Sequence, residues 1–229
     1  MTVLVGLSLI IVPIIFNTFY ALLAARFEYP GILRQPTRDV LSKFAAGGTR
    51  LVLLWWGLAV SAVLFIAVAV LTATVIRAAD NTLVTATIAV GVLAGLVQAL
   101  GLMRWPFLVP YLARTAADPS VSAGERDAAA VVFQSVNRYL GVAVGEHLGY
   151  AFTGLWSILF SVAALTSTGL PVWLSLAGIV IGVVLMIGAL EFVGPAEPTG
   201  WAPAGLLVPI GYTLWSIWLI VLGIFVLID

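Results

Sequence analysis

The sequence predicts an all-α fold, a polytopic transmembrane helical bundle, and three observations carry that prediction. Of the 229 residues, 62% are hydrophobic and only 9% are charged, where soluble domains run at roughly 45–50% and about 25%. Such a chain lacks the polar surface to cover a soluble core, so its low-charge surface must face lipid. The mean hydropathy of +1.18 is gathered in continuous apolar runs of about twenty residues, the length at which a helix crosses a hydrocarbon core of about 30 Å. These runs do not alternate, as the roughly ten-residue strands of a membrane barrel would.

Six spans follow within a single membrane domain, residues 1–229: 2–25, 51–76, 83–103, 148–166, 172–190 and 205–228. The first has no basic start and is longer than the apolar stretch of a signal peptide, so it is expected to be a retained helix. The links Arg77–Thr82 and Ser167–Pro171 are short, which makes their flanking helices antiparallel hairpins. The link Glu191–Ala204 carries Pro195, Pro198 and Pro203 with Gly194 and Gly200. Proline removes donors and clashes with the preceding turn, so that link is not helical.

Two connections are longer. In the first, residues 37–46 form a short amphipathic helix at the membrane surface, with Thr37 as its cap and Val40, Leu41 and Phe44 on one face. In the second, Pro106 and Pro110 break or kink the third helix, and 118–124 is a polar turn. Residues 128–143 then form an interfacial or re-entrant helix leading into the fourth span. Joined to that span they would make one helix of nearly forty residues, more than one crossing needs. A seventh crossing is the alternative.

Orientation is read from basic residues near span ends. Arg26, Arg34, Arg38, Lys43 and Arg50 lie on the first connection and Arg104, Arg114, Arg126 and Arg138 on the third, leaving Arg77 for the other side. The expected location is the cytoplasmic (inner) membrane, multi-pass, with both basic connections in the cytoplasm and both termini outside.

Composition also limits the chemistry. A net charge of zero argues against a nucleic-acid partner. With no cysteine, disulfides, thiolate metal sites and a cysteine nucleophile are excluded. His147 is the single histidine, HExxH, GxSxG and P-loop patterns are missing, and no metal site and no cofactor is assigned. Three glycine stripes, Gly91/Gly95, Gly141/Gly145/Gly149 and Gly178/Gly182, read as close helix packing within the bundle, with a homo-oligomer face as the alternative. Tryptophans near span ends, namely Trp55, Trp56, Trp105, Trp173, Trp201, Trp215 and Trp218, read as headgroup anchors.

The segment 137–150, Asn-Arg-Tyr-Leu-Gly-Val-Ala-Val-Gly-Glu-His-Leu-Gly-Tyr, interrupts the apolar pattern. Ionisable groups at membrane depth are costly and usually turn inward or line water. On an α-helix Tyr139, Glu146, Tyr150 and Thr153 share a face. Arg138 lies about 80° and some 12 Å from Glu146, so the two cannot touch on a straight helix. Asn137, Arg138, Tyr139, Glu146, His147 and Tyr150 are therefore candidate binding residues, with Asn17 and Gln98 as lining from other spans. The structural alternative makes Arg138 a snorkelling residue and Asn17 and Gln98 interhelical glue.

The stretches 27–36, 48–56 and 137–150 resemble a family of uncharacterised bacterial integral membrane proteins, known as a domain of unknown function. That resemblance covers most of the chain and implies a bacterial inner-membrane location without an activity. Three functions are weighed. The first is binding or passage of a small solute or ion at the polar intramembrane cluster. The second is a non-catalytic accessory or regulatory subunit of a larger membrane complex, or of a homo-oligomer, with the lipid bilayer as the other partner. The third is an intramembrane enzyme using Glu146 and His147 as acid and base, of which the rest of a mechanism is missing.

Overall fold

Helices account for nearly all of the computed structural model, which describes residues 1–167 and 169–228. The 167–171 link read above lies partly outside the described residues. Helix α1 (Thr2–Phe27) is followed by a 3-10 turn (Gly31–Arg34) and α2 (Thr37–Thr72). Then come α3 (Asn81–Phe107), α4 (Val109–Ala117), α5 (Ala123–Val136), a π-helical segment (Asn137–Leu148), α6 (Gly149–Ser167), α7 (Val172–Gly188) and α8 (Ala202–Ile228). Among the described residues five helical stretches are long and apolar enough to cross a membrane, and α7 is a shorter apolar helix. Among the described residues there is no strand.

Local chemistry sets the boundaries. Gly48 interrupts α2 with φ 55° and ψ −155°, a conformation that only glycine adopts readily. It separates the piece that buries Val40, Leu41 and Phe44 from the apolar remainder. Pro36, not Thr37, holds the N-cap position. The helix thus starts one residue early, and the Thr37 hydroxyl instead accepts a bond from Gln134. Asp80 caps α3 through the amides of Thr82 and Leu83. Pro106 fits inside the last turn of α3, and the chain breaks at Leu108 instead.

The separate helix expected at 128–143 is one part of a longer run. A capping box between Ser122 and Glu125 starts α5, and helix continues without a break from Ala123 to Thr166. Gln134, Asn137 and Arg138 lower the hydropathy of this stretch, but none of them breaks a helix as proline would.

Helices α1, α2, α3, α6, α7 and α8 close a ring in that order, each packed on its two neighbours. Three of these contacts bring glycine against glycine. A Cβ on Gly6 of α1 would stand 2.9 Å from the Gly223 carbonyl of α8. Gly154 of α6 and Gly182 of α7 face each other's carbonyls. A Cβ on Gly101 of α3 would stand 2.6 Å from the Gly145 Cα. Gly91, Gly95, Gly141, Gly149 and Gly178 also abut neighbouring helices. All three predicted stripes are therefore used inside the chain. Lateral association must rely on packing, since lipid offers no hydrophobic contrast.

Several tryptophans placed at the headgroups are core residues. Trp156, Phe160, Trp215 and Trp218 fill the centre with Phe65, and the Trp215 and Trp218 indoles donate to Ser157 Oγ and the Leu174 carbonyl, both at 2.9 Å. Trp55 and Trp105 are sealed and stack at 4.2 Å between ring centroids. Trp56, Trp173 and Trp201 are exposed, as anchors would be.

Candidate functional site

A buried arginine opens the site. Arg104 sits in the last turns of α3 and is only 8% exposed. Its guanidinium donates to Asn137 Oδ1 at 3.0 Å and to the Gly101 carbonyl. It also lies 5.3 Å from the centroid of the Trp105 ring. Glycine opposite makes room for it, because a Cβ on Gly141 would stand 2.6 Å from the Arg104 Nη2. A buried cation is costly unless paired and hydrogen-bonded, and Asn137, Gly101 and the Trp105 face meet most of that need. Arg104 Nε is sealed and has no partner among the described residues.

Asn137 and Gly141 belong to the π segment, where i→i+5 bonds replace i→i+4 bonds. Such stretches are rare and are found frequently at functional sites. Wider turns also change which residues share a face, so the α-helical assignment of Tyr139 beside Glu146 does not carry over. Tyr139 is 68% exposed and stands apart from the cluster. Arg138 points outward as well, to an exposed ion pair with Glu197.

Glu146 lies on the inner side. It is half-buried. Among the described residues its carboxylate accepts no hydrogen bond and forms no ion pair within 4.0 Å. It is not sealed either, since water-sized space still reaches it. Four tyrosines lie within its electrostatic reach: Tyr20, Tyr29, Tyr150 and Tyr212. Their rings form an arc with two neighbours. Trp55 and Tyr29 are 4.9 Å apart, Tyr29 and Tyr20 5.5 Å, Tyr20 and Phe16 6.2 Å, Phe16 and Tyr212 6.2 Å, and Tyr212 and Tyr150 5.3 Å between centroids. Burial, and then the charge of Glu146, hold the Tyr29 phenol above its ordinary value, with Arg104 opposing.

Gln98 closes the inner end, donating to Thr153 Oγ1 at 3.0 Å and accepting from the Tyr212 hydroxyl at 3.4 Å. Beyond Gln98 and Tyr212 lies a cavity of about 20 Å³, also lined by Ser61. That is room for a single water. Asn17 is further off, donating to Ser216 Oγ at 2.9 Å and so tying α1 to α8. His147 Nδ1 donates to the Ala189 carbonyl at 2.7 Å and fixes the π segment to the end of α7. Of the candidates read from sequence, Asn137, Glu146, Tyr150 and Gln98 thus converge. Arg104, Tyr20, Tyr29 and Tyr212 join them without having been singled out. Among the described residues no group of three or more acidic, histidine or cysteine side chains is placed to hold a metal ion.

Glu191 lies at the rim, 3.8 Å from Arg34. Burial holds its carboxyl above the ordinary value of 4.5, with Arg34 pulling the other way. A raised folded-state value contributes stability that is complete below the ordinary value and lost as pH rises through the raised one. Glu191→Gln should therefore melt closer to wild type in acid and gain on it as pH rises above 4.5. Parallel melting curves across pH would show the idea wrong.

Residues 4–223 match the family described as Domain of unknown function (DUF4386). No curated protein and no solved structure matches.

Proposed function

Since the chain belongs to the family described as Domain of unknown function (DUF4386), which brings no activity with it, we propose from its geometry that it is a multi-pass membrane protein that binds or passes a small solute or ion at the cluster around Glu146. The observation that carries this reading is a half-buried carboxylate in an otherwise apolar helical stretch, with no protein partner among the described residues and four tyrosines within its electrostatic reach. An ionisable group in that position is costly, and a purely structural one would be paired. Asn137 and Arg104 tie the π segment to α3, and Gln98 joins α3 to α6 through Thr153 and to α8 through Tyr212.

The test is a thermal-shift panel of inorganic ions, amines, amino acids and organic acids on purified protein. At least one member should stabilise the wild type and leave Glu146→Gln unmoved. A panel in which every shift persists in Glu146→Gln would end this reading.

The proposal includes a topology of six spans in a bacterial cytoplasmic membrane, with both termini outside. Arg34–Glu191 and Arg138–Glu197 tie the first, third and last long connections to one another, which supports a common side for them. Nine of the ten basic residues lie at that end, which favours the cytoplasm. The chain has no cysteine, so Arg38→Cys and Asp80→Cys are clean reporters. An impermeant thiol reagent should label them from opposite sides, and labelling from one side would refute the topology.

A further inference from the structure

We propose that the ligand of this cluster is a small protonated amine, held by the Glu146 carboxylate and by unpartnered hydroxyls of the tyrosines within its electrostatic reach. The inference rests on the solute-binding reading above and narrows it to one chemical class.

The charge comes first. Arg104 is engaged by Asn137 Oδ1, the Gly101 carbonyl and the Trp105 face and makes no ion pair with Glu146. The carboxylate is therefore open to a second cation, and it disfavours an anion. Donor count narrows the class further. Among the described residues the hydroxyls of Tyr20, Tyr29 and Tyr150 have no hydrogen-bond partner, and they are not sealed. A phenol oxygen accepts as well as donates. A ligand presenting several N–H donors satisfies these oxygens and the carboxylate together. An ammonium group does so with three donors, and it gains from aromatic surroundings through the cation–π attraction. A divalent metal is a poor fit, because the described residues place no group of three or more metal-binding side chains together. A quaternary ammonium carries charge but no donor, which makes it the discriminating probe.

The experiment compares methylammonium, tetramethylammonium and potassium chlorides at equal ionic strength. Melting of the purified protein in detergent is the first readout and isothermal titration the second. Methylammonium should raise the melting temperature saturably, and Glu146→Gln should abolish the shift. Tyr150→Phe, which keeps the ring and removes one oxygen, should weaken binding several-fold without loss of fold. That variant keeps the question answerable if Glu146→Gln does not fold. The amine assignment fails if tetramethylammonium or potassium matches methylammonium, since charge alone would then suffice. It fails equally if methylammonium shifts Glu146→Gln as it does wild type, if Tyr150→Phe binds as wild type does, or if methylammonium has no effect. When methylammonium is silent but another solute binds in a Glu146-dependent way, the wider reading survives. When nothing binds, both fall.

Discussion

Gly145→Leu should lower the stability of the folded protein by about 1–3 kcal/mol, the usual range for overpacking. The reason lies in what surrounds the missing side chain. A Cβ at Gly145 would stand 3.1 Å from the Leu140 carbonyl and 3.2 Å from the Gly101 Cα. Both are backbone, which cannot swing aside as the tip of a flexible side chain can. Leucine therefore forces α3 and the π segment apart, and with them the Arg104–Asn137 bond one turn away. Gly145→Ala should be milder. It gains up to about 1 kcal/mol in helix propensity but meets the same two backbone atoms, so a small net loss is expected. Gly101→Ala should cost more than Gly145→Ala, because its Cβ would approach the Gly145 Cα to 2.6 Å. Thermal unfolding in detergent measures all three. A Gly145→Leu protein that melts with the wild type would mean that the contact does not exist.

The second large effect is expected at Arg104. Arg104→Lys keeps the charge but should still cost about 2 kcal/mol, because one hydrogen bond to a charged group is worth about 1.5–3 kcal/mol. A planar guanidinium can donate to Asn137 and the Gly101 carbonyl while lying against the Trp105 ring. An ammonium acts as a point charge and cannot hold all three. Arg104→Met should cost more, about 3 kcal/mol, since it also leaves the Asn137 oxygen without its donor and Glu146 without a nearby cation. Equilibrium unfolding in a mild detergent separates the variants. Full retention of stability in Arg104→Lys would reduce Arg104 to a simple charge and remove the argument for its fork.

How much of this was legible in the residues varies from element to element. Hydropathy marked the long helices, because apolar runs are written locally. Polar interruption marked 137–150, and Asn137, Glu146 and Tyr150 do converge there. The π register could not be read, since Asn137–Leu148 carries no residue pattern that distinguishes i→i+5 from i→i+4 bonding. That is why α-helical spacing puts Tyr139 beside Glu146 while the structure turns it outward. Arg104 reads as a span boundary because it ends an apolar run just before a proline, which is also how a boundary arginine looks. The tyrosines were hidden for a different reason. Tyr20 is on α1 and Tyr212 on α8, and only the closing of the helical ring brings them together. Trp55 and Trp105 look like anchors by position, and only their mutual stacking shows that they face inward.

The ion pairs that tie the connections together bear on how the protein is made. The end of the bundle with nine basic residues also carries eight of the ten acidic ones, so its formal charge is close to balanced. The two acids that pair with Arg34 and Arg138 are Glu191 and Glu197, which leave the ribosome after five of the six ring helices. Until those two residues are made, Arg34 and Arg138 stand without these partners. The ties that join the first, third and last long connections therefore close late in synthesis, and the end of the bundle they hold together is among the last parts of the fold to be fastened.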